Sequence, residues 1–155
     1  MGYRSDIRIE LRTKDFERLV KEYNKQKDEN DLKIKDLEKE IEKLPLNKER
    51  TLLTTQVNEL SMSPLFDIKE LDIHKIIKNF VCVRDEWKEE EVTYFGWNGL
   101  KWYANYTDVR FIENFVKKCD YYAFIRVGED LNDIESESHN MEDIWIEKFF
   151  PQDEE

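Results

Sequence analysis

Four apolar residues, Ile34, Leu37, Ile41 and Leu44, recur at intervals of three and four in a stretch otherwise made of charge, and Pro45 stops the pattern. A seam that narrow suits a helix that meets one other helix, as in a coiled coil, and is too narrow for a helix lying on a sheet. Beyond Pro45 the stripe resumes with Leu52, Leu53, Val57 and Leu60. The pattern predicts an antiparallel helical hairpin over about residues 25–61, inserted into the rest of the chain. Between Thr13 and Arg50 eleven bases stand against eleven acids, so this stretch is charge-dense but balanced. A hairpin of that kind is either a solvated helix pair or a partner-binding arm, and a homodimer through it is one expected arrangement.

The flanks read differently. Tyr3, Ile7, Ile9 and Leu11 alternate along residues 3–12, which predicts a strand with a charged outer face. Thr13 stands where it could N-cap a helix with Phe16, Leu19, Val20 and Tyr23 on one side. Ser63-Pro64 reads as a second start, followed by a buried helix bearing Ile68, Leu71, Ile73, Ile76, Ile77 and Phe80. The run Phe80–Arg84 is the end of that helix or a short strand, and Glu91–Trp97 is a strand. Asn98-Gly99 is the dipeptide of a tight hairpin turn, so Leu100–Tyr103 is expected to return alongside. Thr107 or Asp108 caps a helix carrying Val109, Ile112, Phe115 and Val116. Tyr121–Val127 and Asp143–Phe150 read as strands separated by an acidic loop, 128–142. Together these elements predict a single α+β domain over residues 1–155, a mostly antiparallel sheet with helices packed on one face plus the inserted hairpin, and an acidic tail at 151–155.

The net charge is −11, and it sits almost entirely in the last 27 residues, which hold eleven acids against Lys148 alone. A field that lopsided repels nucleic acid and attracts basic surfaces. Glu129, Asp130, Asp133, Glu135, Glu137, Glu142 and Asp143 are therefore the candidate partner-binding residues, with a basic protein surface as the partner and no direct nucleic-acid binding. Aromatics at 13% are too many for a disordered acidic chain. Cys82 and Cys119 show no paired spacing and read as reduced thiols. No apolar leader and no long apolar run is present, so a cytoplasmic chain that spans no membrane is expected.

Catalytic signatures are missing: there is no phosphate-cradling Gly-rich loop, no nucleophile elbow and no zinc-binding His pair. A calcium loop starting at Asp130 would need Gly at its sixth position and Glu at its twelfth, where Glu135 and Met141 stand. No metal and no cofactor is expected. A thiol of Cys82 or Cys119 beside His74 is the one nucleophilic pairing to weigh, against the plainer reading of a buried thiol and a surface imidazole. The aromatics Tyr94, Phe95, Trp97, Trp102, Tyr103 and Tyr106 are core packing or a stacking face for a small ligand.

Met1-Gly2-Tyr3-Arg4-Ser5-Asp6, Tyr94…Trp97…Lys101-Trp102-Tyr103, Ile112-Glu113, Arg126-Val127-Gly128-Glu129-Asp130 and Asp133-Ile134-Glu135 together resemble a set of small bacteriophage proteins. The resemblance covers residues 1–12 and about 90–136, leaves the hairpin outside, and implies a viral, intracellular setting and nothing about catalysis. It also draws attention to Arg4 and Arg126, which could meet Glu129, Asp130 or Asp133 at a sheet end. The leading expectation is a non-enzymatic phage protein in the host cytoplasm that binds and inhibits a host protein. A nucleic-acid-handling defence component is the favoured target, as for anti-CRISPR inhibitors, through acidic DNA mimicry or steric blockade. The competing expectation is a binder of a small ligand or nucleotide signal using Arg4, Arg126, Trp97, Trp102 and Tyr103. A metal-dependent enzyme ranks third.

Overall fold

The computed structural model describes residues 2–46, 48–67, 72–83, 86–130 and 132–139, with side chains described outside 72–89 and 138–139. In chain order the elements are β1 (Ser5–Arg12), α1 (Thr13–Glu42), α2 (Lys48–Leu60), β2 (Asp72–Val83), β3 (Glu86–Leu100), α3 (Thr107–Lys118), β4 (Tyr122–Gly128) and β5 (Ile134–His139). Among the described residues the strands form one five-stranded sheet of order β2-β3-β1-β4-β5, antiparallel at every junction. The architecture is α+β. Among the described residues no helix is long and apolar enough to cross a membrane.

The alternation in β1 decides where the core lies. Ile7, Ile9 and Leu11 are fully buried and share a face with Trp97 and Phe95 of β3 and Phe124 and Tyr122 of β4. Burying each such aliphatic side chain is worth about 1.5–3 kcal/mol relative to leaving it in water. Leu19 and Tyr23 of α1 and Val109, Ile112 and Val116 of α3 close the same cluster from above. An aromatic chain runs through it: Phe16 lies 4.7 Å from Phe95, Phe66 5.4 Å from Trp97, and Trp97 stacks on Trp102 at 6.0 Å.

The other parity departs from the sequence reading. Arg8, Glu10 and Arg12 were expected on a solvated face and are instead buried. Their charges are met locally. The Arg8 guanidinium donates to the carbonyls of Ile7 and Trp97 and to Asn98 Oδ1, Tyr121 donates to Glu10 at 2.7 Å, and Arg12 meets Glu90 at 2.5 Å. Burial of charge without such partners would be prohibitive.

Several further expectations are corrected. The stretch expected as a buried helix through Ile73, Ile76, Ile77 and Phe80 is strand β2, paired along its length with β3. Ser63-Pro64 starts no helix but leads into a turn at residues 65–67. Asn98-Gly99 makes no hairpin, because β3 continues through it to pair Leu100 with Ser5. Gly99 keeps the left-handed backbone, φ 66°, that the dipeptide favours, and its amide is taken by Asp6. Part of the expected acidic loop is strand β5, the outermost strand beside β4 among the described residues. Neither Thr13 nor Thr107 acts as an N-cap: Thr13 bonds Thr93, and the Thr107 hydroxyl goes to the Glu59 carbonyl. The strand expected at Asp143–Phe150, the tail at 151–155, Ile68, Leu71 and Arg84 lie outside the described residues.

α1 is a single helix from Thr13 to Glu42, so the part that packs on the sheet and the charged seam are continuous. It ends just before Pro45, and α2 runs back along it, with residues 40–44 beside 49–53 and Asn30 beside Leu60. The segment after α2 ties this pair to the body. The buried Asn30 amide donates to the Leu60 carbonyl at 3.0 Å and lies 3.3 Å from Met62 sulfur. Tyr23 donates to the Ser63 carbonyl, Trp97 to the Leu65 carbonyl, and the Ser63 amide to Asp108.

No described residue between 34 and 56 is buried, whereas Asn30, Met62, Leu65 and Phe66 are. Replacing residues 34–56 by a short Gly/Ser linker should therefore leave a cooperatively melting domain, since the removed part contributes little to the core. A non-cooperative melt by circular dichroism would show that the distal helices are needed for folding.

Candidate partner-binding site

Arg126 organises the acidic end of the sheet. It stands on β4 opposite Ile7 of β1 and Glu135 of β5, on the helix-bearing face, and its guanidinium is largely buried. One terminal nitrogen donates to Ser5 Oγ at 3.0 Å and Asp133 Oδ2 at 3.1 Å, the other to Asp133 Oδ1 at 2.6 Å and Glu135 Oε1 at 2.9 Å. The forked geometry of guanidinium and carboxylate makes the Asp133 contact bidentate, the strongest form of such a pair. Tyr3 closes the other side, donating to Asp133 Oδ2 at 2.5 Å and accepting the Asp130 amide at 3.1 Å. The turn from β4 to β5 is pinned by the Gly128 amide on the Asp133 carbonyl and the Asp133 amide on the Asp130 carbonyl. A Cβ at Gly128 would collide with the Asp133 carboxylate and the Tyr3 hydroxyl, so this close approach requires glycine.

The protonation states follow from these contacts. The Arg126 hydrogen bonds, then that of Tyr3, hold the Asp133 carboxyl down at about 2. Arg126 is raised chiefly by its bond to Asp133. The Asp130 amide lowers the Tyr3 phenol, but the Asp133 carboxylate and burial outweigh it and the net shift is upward. Tyr122 is pushed up to about 12 by burial and by its hydrogen bond to Glu137.

Beside this network a groove of about 490 Å³ opens between α3 and β5. Its apolar floor is Val116, Tyr122 and Phe124, and its walls carry Glu113, Glu135 and Glu137 against Lys117. Tyr122 donates to Glu137 at 2.9 Å, and the indole N–H of Trp102 donates to Glu113 at 2.9 Å. Lys117 stands 3.9 Å from Glu137, a loose and exposed pair. The turn residues Glu129 and Asp130 are exposed at one end of β5.

Of the acidic residues singled out from sequence, the structure gathers Glu129, Asp130, Asp133, Glu135 and Glu137 along the β4–β5 turn and the β5 edge. Glu142 and Asp143 lie outside the described residues. The residues proposed for a small ligand are not brought together. Arg4 is exposed and donates to the Gly99 carbonyl, Arg126 is engaged by carboxylates, and Trp97 and Trp102 are core. Tyr103 is half-buried, its hydroxyl accepting the Tyr3 amide. Cys119 is a buried thiol pushed up to about 11, first by burial, which disarms it as a nucleophile. His74, Cys82 and His139 belong to strands, and their side chains lie outside the described ones.

Glu113, Lys117, Tyr122 and Phe124 were missed by the sequence reading. Tyr122 and Phe124 share the parity of Arg126 on β4, and Glu113 and Lys117 are four apart on α3, so both spacings held the signal. The chain matches no protein-family model, no curated protein and no solved structure.

Removing Arg126 strands Asp133 and Ser5 beneath the turn, so Arg126→Ala should lower unfolding free energy by about 2–3 kcal/mol, short of the roughly 3–5 typical of fully buried pairs because Asp133 is partly exposed. Arg4→Ala should leave the denaturation midpoint unmoved. Because Asp133 is depressed in the folded state, its stabilisation is complete above about pH 4 and is lost as pH falls towards about 2. Acid unfolding of Asp133→Asn should accordingly begin from a lower stability at neutral pH and show a shallower loss across that window.

Proposed function

We propose that this chain is a non-enzymatic binding protein that captures a basic surface of another protein through the acidic rim of α3, β5 and the β4–β5 turn. The groove supports this most directly: three carboxylates face one ammonium over an aromatic floor. That combination suits lysine or arginine side chains, whose apolar stems lie against rings while their charged ends meet carboxylates. The resemblance to small bacteriophage proteins points to a host protein as the partner. A nucleic-acid-handling protein of the host's defence fits best, because its basic groove is built for regularly spaced negative charge. Bound there, the rim would occupy the place of phosphates and block the groove.

The test is retention of host-extract proteins and of an Arg-rich model peptide on the immobilised full chain, over a salt series. Binding should weaken steeply with salt, since exposed charges are screened beyond about 8–10 Å. Glu129→Lys, Asp130→Lys and Glu137→Lys together should slow association more than they speed dissociation. Salt-insensitive capture, or equal capture by the triple variant, would refute the electrostatic reading.

A further inference from the structure

We propose that the tip of the α1–α2 hairpin is a homodimer interface, and that its occupant is the same tip of a second copy of this chain. Leu46 is 89% exposed and Leu52 64% exposed, and both line one groove of about 740 Å³ along α2 together with Lys48, Arg50 and three threonines. Leu52 also borders a second groove of about 530 Å³, where Leu44 and Leu53 line the cleft between the two helices. Leu52 is thus a ridge between two apolar grooves, and α2 has no buried residue at all. Scattered surface leucines need no explanation, but a ridge flanked by grooves is the shape that helices use to interdigitate. Two helices alone cannot cover such a surface, whereas four helices, two from each copy, can.

The charge of the tip selects the occupant. Residues 40–56 carry Glu40, Glu42 and Glu49 against Lys43, Lys48 and Arg50, an even balance within a chain of net charge −11. Over residues 129–155 two copies repel, because eleven acids stand against one base there. At the tip a two-fold axis places each patch against itself, so the bases of one copy can meet the acids of the other while the Leu52 ridges enter the facing grooves. A strongly acidic or strongly basic partner would meet as many like charges as opposite ones. The tip shares no lining residue with the acidic groove, so the two proposals stand or fall separately.

The experiment is sedimentation of the full chain over a concentration series. A monomer–dimer equilibrium is expected. Leu46→Glu with Leu52→Glu should weaken it by about a hundredfold or more while leaving the melting temperature unchanged at concentrations where both proteins are monomeric, because both side chains are already exposed in the monomer. A charge-swap pair gives an independent check. A variant with Glu40→Lys, Glu42→Lys and Glu49→Lys and one with Lys43→Glu, Lys48→Glu and Arg50→Glu should each be monomeric alone and should form a heterodimer when mixed at low salt. A wild-type chain that stays monomeric at its solubility limit overturns the proposal. So does a dimer that survives the leucine changes, and so does a mixture of swapped variants that does not associate.

Discussion

The position of β1 at the centre of the sheet constrains everything around it. Both its edges are hydrogen-bonded, to β3 from Ser5 to Arg12 and to β4 from Ser5 to Leu11. A central strand cannot slip by one residue without exchanging its two faces. Here the exchange would send Arg8, Glu10 and Arg12 into the aromatic cluster and leave Ile7, Ile9 and Leu11 on the other side. The register also sets Arg126 opposite Ile7, which puts its guanidinium within reach of Ser5 and of the turn that follows β4. The acidic rim is thus a consequence of strand pairing that begins in the first twelve residues.

What the sequence shows and hides follows from which interactions are local. β4 is legible as a short apolar run whose two faces are both buried, and β1 and α3 because each has one apolar side against one core, so their periods of two and 3.6 are undisturbed. The seam at Ile34, Leu37, Ile41 and Leu44 is legible for the same reason. β2 is hidden by its own irregularity. A register shift between Ile73 and Lys75 places Ile73 opposite Phe95 and Ile76 opposite Thr93, so two residues three apart face partners two apart. A bulge of that kind turns a strand's period into an imitation of a helix. β5 is hidden because Glu135, Ser136 and Glu137 alternate polar with polar, which carries no hydrophobic signal at all. Asn98-Gly99 misleads in the opposite sense. Its local preference is kept in the backbone of Gly99, but it is absorbed as an irregularity opposite Asp6, after which β3 resumes its pairing with β1 at Leu100.

The buried charges of β1 were illegible for a different reason. Charged residues at alternate positions are usually solvated, and only the tertiary structure supplies the acceptors that allow otherwise. Arg8 takes its acceptors from the backbone of β1 and β3 and from Asn98, Glu10 takes a donor from Tyr121 just before β4, and Arg12 is met by Glu90. None of these partners is near in sequence except Ile7. The Arg126 network is the partly legible case, since Asp133 and Glu135 follow it closely in the chain. Arg4 shows the limit of that reasoning: its acceptor is a carbonyl at the far end of β3, which no charge pattern would indicate.

Formal charge also overstates what the acidic rim can offer to a partner. Asp133 and Glu135 are both held by Arg126, and a partner's cation would have to compete with a bidentate pair already in place. Glu137 is engaged by Tyr122 and only loosely by Lys117, while Glu129 and Asp130 stand at the exposed turn. The carboxylates therefore divide by role. Asp133 and Glu135 fix the turn and the edge strand, and Glu113, Glu137, Glu129 and Asp130 face outward from the frame so fixed. A rim of four outward carboxylates around an aromatic groove is a more selective surface than a tail of eleven acids, because it asks a partner for cations at particular spacings and for apolar stems between them. On the binding function proposed for this rim, attraction over long distances would belong to the whole acidic end, and discrimination to the few groups that Arg126 leaves unspent.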